Sequence, residues 1–246
     1  MLEYIILGIL QGIFEWLPVS SEGIVALFSN YFIKDLNAID VAVFLHLGTF
    51  FAVLIYFHKD WIDILCFKKN ELLKFLFITS FISGGIGFLI YSFAKEIIMG
   101  GGLLLLMGIG LLLTSYFQKK RIDFKLDKKY RPFIIGVLQG FSAIPGISRS
   151  GSTIFGLSLF GKDPFQILKL SYLLSAPLVF GSSLYLYLKN PEIITNERLL
   201  ALIFSFVFGI ITLKFLLSFA QKINFSLFTF IFGLLCILSG IASYFI

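Results

Sequence analysis

The chain has 246 residues, of which 58% are hydrophobic and 17% aromatic, with a mean hydropathy of +0.96. That composition excludes a soluble globular enzyme and reads as an integral membrane protein. The net charge of +6, set between long apolar runs, reads as headgroup and orientation charge, with no nucleic-acid partner. Cys66 and Cys236 are the only cysteines, which excludes a disulfide framework and a cysteine metal site.

Residues 4–17 are apolar but too short to span a bilayer, and Glu3 stands where a signal peptide would be basic. They end at a polar turn, Pro18 to Gly23, and a second short apolar run covers 24–33. Short helix, polar turn, short helix predicts a re-entrant hairpin, which membranes tolerate only under protein cover or beside a wet cavity. Residues 40–57 are long enough to cross. A charged loop follows from His58 to Glu71, and 72–94 and 98–117 cross again. The most basic loop, Lys119 to Arg131, holds seven Lys or Arg.

The pattern then restarts. Gly8-Ile9-Leu10-Gln11-Gly12 is echoed by Gly136-Val137-Leu138-Gln139-Gly140, 128 residues later, and Ser20 and Gly23 are echoed by Ser148 and Gly151. The segment 132–144 is again too short to span, 152–161 is a short arm, and crossings follow at 165–188, 199–220 and 225–245. The predicted fold is therefore all-α: one membrane domain over 1–246, with a first repeat (1–117), a basic linker (118–131) and a second repeat (132–246). Each repeat is a re-entrant helical hairpin plus three transmembrane helices. Three crossings are odd, so the repeats have inverted topology and their two polar turns are expected to form one site. The loop cations divide twelve to four. This places the 118–131 loop in the cytoplasm and both termini outside a plasma membrane crossed several times.

Between the two short helices of the second repeat lies Pro145-Gly146-Ile147-Ser148-Arg149-Ser150-Gly151-Ser152-Thr153. Pro145 stops one helix, Ser150 to Thr153 are placed to cap the next, and a guanidinium with several hydroxyls makes an anion cradle suited to phosphate. The plainer reading is a polar turn, but an Arg at membrane depth is costly and usually functional. Gln11 and Glu15 share one helix face that points to Ser20, Ser21 and Glu22. Glu15 fits three roles: divalent-cation ligand, general base, or partner of Arg149; a purely structural Glu–Arg pair competes with them. Glu22 lies at a hairpin tip where it is open to solvation. Ser20 and Ser21 are nucleophiles only if a base activates them, and otherwise cap a helix. Ala143 replaces the acid in the second repeat, so one half supplies the carboxylate and the other the cation. His46, inside a predicted span, reads either as a proton relay or as a satisfied core histidine, and no second His beside it suggests a metal pair.

These residues resemble those of the undecaprenyl-pyrophosphate phosphatase, or bacitracin-resistance, family over nearly the whole chain. The carriers are Gln11 to Glu15, Pro18-Val19-Ser20-Ser21, His46-Leu47-Gly48-Thr49 and Pro145 to Gly151. The resemblance implies a membrane hydrolase that removes the terminal phosphate of a polyprenyl diphosphate lipid and regenerates the carrier for cell-wall glycan synthesis. It implies catalytic roles for Glu15, Ser21 and Arg149, with Gln11 where the family shows Glu or Gln; Gln11 and, from the two polar turns, Ser20, Glu22, Ser148, Ser150 and Gly151 are expected to contact the substrate. A Mg²⁺ or Ca²⁺ held partly by Glu15 fits it, and a homo-oligomer is compatible with it. One departure stands out: the family reads Pro-Val-Ser-Ser-Thr-Gly-His, and here Glu22 replaces the Thr and Ile24 the His. Either Glu22 or Glu15 transfers the proton, or His46 reaches the site, or the protein binds its lipid and hydrolyses it feebly. The rival class is a transporter of lipid phosphate or anions, which shares the inverted-repeat architecture; a non-catalytic lipid-binding protein is a third reading.

Overall fold

The computed structural model describes residues 1–17, 20–33, 38–94, 105, 108–109, 112–113, 115–116, 119–120, 127–144, 147–160, 163–220 and 224–242. Most of the expected crossing over 98–117, the middle of the basic linker, and the turn residues Pro18, Val19, Pro145 and Gly146 lie outside them. All regular structure among the described residues is helical: α1 (Leu2–Phe14), α2 (Ser21–Phe32), α3 (Ala38–Tyr56), α4 (His58–Leu65), α5 (Asn70–Ala94), α6 (Arg131–Gly140), α7 (Arg149–Ser158), α8 (Pro164–Lys189), α9 (Asn196–Phe219) and α10 (Phe225–Ala242), with short 3₁₀ turns between some of them. Four of these are long and apolar enough to cross a membrane: 39–56, 70–90, 164–189 and 196–219. They coincide with four of the expected crossings. Leu2–Phe14 is apolar but too short, as its length predicts.

The charged stretch from His58 to Glu71 is not simply a loop. It forms α4, whose Asp60 and Asp63 share a face and are gathered by Lys69 at 2.8 and 3.0 Å. The helix ends with Phe67 in the left-handed region (φ 57°), and the Lys68 N–H donates back to the Asp63 carbonyl at 2.8 Å. This is a Schellman closure with Phe where glycine is usual.

The chain forms two compact units. The first comprises Met1–Trp16, Ser21–Leu76 and Tyr172–Ser218. Its core is apolar: Leu7 of α1, Val25 of α2, Val41, Ala42 and Leu45 of α3, and Leu186 and Ala201 from α8 and α9, all buried. Helix α1 lies directly on α9, because Gly8 and Gly12 bring backbone to backbone. A Cβ at Gly8 would run into the Ala201 carbonyl, and one at Gly12 would sit 2.7 Å from both the Gly209 nitrogen and the Ser205 carbonyl oxygen. Ser205 Oγ in turn donates to the Leu45 carbonyl of α3 at 2.9 Å.

The second unit comprises Leu17–Ser20, Phe77–Ser171 and Phe219–Ile246. Here α6 lies on α5 by the same device: a Cβ on Gly136 would meet Thr79 and Ile82, and one on Gly140 would meet Ile86. Thr79 Oγ1 donates to the Pro132 carbonyl at 3.3 Å. Helix α7 folds back onto α6 where Gly156 meets Leu138 and Ile135. The echo between Gly8/Gly12 and Gly136/Gly140 thus has a physical reason: each pair permits a short helix to touch a long one.

Gly12→Val is expected to lower stability by about 1–3 kcal/mol through overpacking against α9. Gly84→Ala, where a Cβ meets nothing within 4 Å, is expected to melt at or above wild type. Thermal melts of the two variants in detergent check this.

Candidate active site

Helix α1 ends in a turn that carries its polar chemistry. Glu15 caps α1 with helical backbone angles (φ −55°, ψ −39°), and its N–H donates to the Gln11 carbonyl at 3.1 Å. The two side chains are therefore one turn apart on one face, as their spacing predicts. Gln11 Nε2 donates to Glu15 Oε2 at 2.7 Å, with Gln11 fully buried and Glu15 only 4% exposed. The Gln11 Oε1 is buried with no hydrogen-bond partner in the structure. An acceptor in that state suits a water or hydroxyl, not a phosphate oxygen.

Ser21, the first residue of α2, returns to the same carboxylate: its Oγ donates to Glu15 Oε2 at 2.9 Å. From α3, His46 places Nε2 at 3.0 Å from that oxygen and Nδ1 at 2.5 Å from the Ala42 carbonyl. His46, one of the groups expected to compensate for the histidine missing at position 24, thus reaches the carboxylate of Glu15. His46 is a satisfied histidine on one side and a partner of the acid on the other. Ser20 is buried just before α2, and Glu22 stands half-buried in the first turn of α2, within electrostatic range of Glu15 and His46.

Trp16, which the sequence did not single out, anchors this turn. Its Nε1 donates to the Gly209 carbonyl of α9 at 2.7 Å, its ring leans on Tyr172 at 5.0 Å, and the Tyr172 hydroxyl donates to the Trp16 carbonyl at 3.3 Å. An aromatic next to an acid reads as ordinary lipid-facing bulk; its carbonyl partner leaves no mark in the sequence.

In the second unit the polar island opens α7. The cap is Ser148, not Ser150 to Thr153: Ser148 has extended backbone, and its Oγ accepts the Gly151 N–H at 3.0 Å. Ser150 is already inside the helix. Its hydroxyl meets Ser148 Oγ at 3.0 Å and donates to the Leu17 carbonyl. Arg149 Nη1 donates to the Ser171 carbonyl of α8 at 3.1 Å. Thr153, one turn on from Arg149, bonds back to the Arg149 carbonyl at 3.0 Å, and its Oγ1 lies 2.5 Å from Ser171 Oγ. Two hydroxyls and two carbonyls thus fix the base and one arm of the guanidinium.

The donor set around Glu15 also tests the expected cation. Oε2 already faces an amide, a hydroxyl and an imidazole, and the described residues hold no group of three or more His, Cys, Asp or Glu that would cage an ion. Among the described residues there is thus no all-protein cage for a resident divalent ion.

An apolar helical chain with a buried carboxylate joined to a serine and a histidine in one unit, and an arginine at a capped helix start in the other, defines a membrane protein with two built polar clusters. The model of the family described as bacitracin resistance protein BacA matches residues 4–242, and the chain belongs to that family. Three relatives named undecaprenyl-diphosphatase resemble it along almost their whole length. The relative from Methanococcoides burtonii is 33% identical over 96% of this chain and 97% of its own. That from Methanococcus vannielii is 35% identical over 98% of each, and that from Halothermothrix orenii 36% identical over 93% and 92%.

Ser148→Ala is expected to cost about 0.5–2 kcal/mol by removing the α7 cap, and Ser148→Asp to recover most of it. Chemical or thermal denaturation of the two variants distinguishes the cap from a bystander.

Proposed function

We propose that the protein is a membrane phosphatase that hydrolyses undecaprenyl diphosphate, or a similar polyprenyl diphosphate, to the monophosphate and inorganic phosphate. The monophosphate carrier then returns to cell-wall glycan synthesis. The observation that carries the reading is the buried Ser21–Glu15 hydrogen bond at 2.9 Å in a chain of this family. A serine hydroxyl is a weak nucleophile until a base is set against it, and Glu15 is that base. The transporter reading has no observation of its own in its favour.

In the reaction, Ser21 Oγ attacks the terminal phosphorus as its proton passes to Glu15. The bond from that phosphorus to the bridging oxygen breaks, and Glu15 gives the proton to the departing prenyl monophosphate. Water then attacks the phosphoserine, Glu15 takes a proton from it, and Ser21 Oγ recovers that proton as its bond to phosphorus breaks. Arg149 is the proposed diphosphate-binding cation, a role carried by the family motif and by the anchoring of its Nη1 to the Ser171 carbonyl. Ser20, Glu22, Ser148, Ser150 and Gly151 are proposed as substrate contacts. A Mg²⁺ or Ca²⁺ enters this reading only on the diphosphate oxygens of the lipid.

We further propose two repeats of opposite topology, 1–117 and 132–246, each with a re-entrant hairpin and three crossings, in a multi-pass plasma-membrane arrangement. The basic 118–131 linker is cytoplasmic and the termini lie outside. The recurrence of a glycine-paired short helix on a long one supports the duplication, and the loop charges support the orientation.

Purified protein in detergent is expected to release phosphate from a long-chain prenyl diphosphate. Glu15→Gln is expected to lower the rate by about 10²–10⁴-fold, as loss of a proton-transfer group does. Arg149→Ala should fall as steeply, and Arg149→Lys should recover little because the planar fork is lost. Absence of release with lipid binding intact would move the reading to a carrier, which exchange across sealed vesicles would then show. Parallel assays with chelator and with added Mg²⁺ or Ca²⁺ test the lipid-borne cation.

A further inference from the structure

The reaction above uses Glu15, Ser21 and Arg149 and gives His46 no task. His46 lies inside α3, within a stretch long and apolar enough to span the membrane. An ionisable side chain there is expensive and calls for a partner and a reason. Its two ring nitrogens are not equivalent. Nδ1 faces the Ala42 carbonyl, one turn back on its own helix, at 2.5 Å. A carbonyl only accepts, so Nδ1 carries a hydrogen. That leaves Nε2 facing Glu15 Oε2 at 3.0 Å. A bare nitrogen lone pair and a carboxylate oxygen repel at this separation, whereas a proton between them makes a charge-assisted bond.

Three donors thus converge on one oxygen: the Gln11 amide, the His46 ring and the Ser21 hydroxyl. The amide does not give up its hydrogen, and the ring is held from behind by Ala42. Of the three, the hydroxyl is the group the proposed reaction uses as its nucleophile.

We propose that His46 is a positioning residue of the phosphoryl transfer, acting through Glu15: its Nε2–H holds Oε2 in line with the Ser21 hydroxyl and keeps the buried carboxylate ionised, ready to accept the serine proton. The inference rests on the phosphatase reading. An isolated carboxylate in apolar surroundings takes up a proton or turns toward water, and either response deprives Ser21 of its base. With His46 in place the carboxylate keeps its charge, its angle and its vacancy for a proton. A histidine that only tied α3 to α1 would add stability and leave the rate alone.

The test is steady-state phosphate release by wild type, His46→Gln, Glu15→Gln and the double variant, each with a thermal melt. His46→Gln is expected to lower kcat by about 10²-fold or more while KM for the prenyl diphosphate stays within about threefold. Because His46 acts through Glu15, the double variant is expected to be no slower than Glu15→Gln alone. A His46→Gln enzyme within about threefold of wild-type kcat overturns the proposal, and so does a double variant slowed by the product of the two single losses. Nitrogen-15 spectra of the intact wild-type protein, with His58 assigned from a His58→Gln sample, test the same point without relying on a variant that folds. Hydrogens on both His46 nitrogens are expected, and a bare Nε2 overturns it. Wild type that releases no phosphate sinks the phosphatase reading itself; active wild type beside full-rate His46→Gln sinks only the role of His46.

Discussion

A carboxylate buried among apolar helices must be answered, and Glu15 is answered three times on one oxygen. Removing one partner of a buried charged pair typically costs ~3–5 kcal/mol, because the other is left uncompensated. That penalty is directional in a way the surrounding core is not. Leu7, Val25 and Leu45 would tolerate a small slide of α1, α2 and α3 past one another. Three hydrogen bonds to a single atom would not. The last turn of α1, the first residue of α2 and the third turn of α3 are therefore fixed to each other by electrostatics as well as by packing.

The second unit solves a different problem by humbler means. A guanidinium reaching for a ligand loses little if one arm is parked on a carbonyl, and Arg149 is parked on Ser171. The hydroxyls of Thr153 and Ser171 face each other beside it. Ser148 closes the helix start from which Arg149 projects. None of these contacts is strong by itself, since a neutral hydrogen bond nets ~0.5–1.5 kcal/mol. Together they remove rotamer freedom from the one long cation in the island, which is the main entropic cost of holding it out.

What the sequence disclosed and what it hid divide along physical lines. Length and hydropathy gave four of the crossings, because a run of apolar residues has few alternatives. The Gln11–Glu15 contact followed from helical spacing. The Ser148 cap was displaced by two residues, since Ser148, Ser150 and Ser152 all carry the right chemistry and backbone angles decide among them. The helix at His58–Leu65 read as a loop because its order comes from Lys69, outside it in the chain. His46 read first as a satisfied core histidine and only second as a site residue. Its Ala42 bond is local and foreseeable, but its approach to Glu15 depends on how α3 meets α1, which no periodicity encodes. Trp16 and Ser171 were invisible as site residues because their contacts run through main-chain carbonyls, that of Gly209 and that of Ser171 itself, which are identical at every position.

The bond from Trp16 to the Gly209 carbonyl joins residues 193 apart, and that interval is also one of time. At ribosomal speeds α9 leaves the tunnel roughly 10–40 s after α1. Through that interval the glycine face of α1 has nothing to lie on, and the turn bearing Glu15 has no anchor behind it. Gln11, Ser21 and His46 can meet Glu15 early, but the turn that bears it is tied down from behind only when nearly the whole chain has been made.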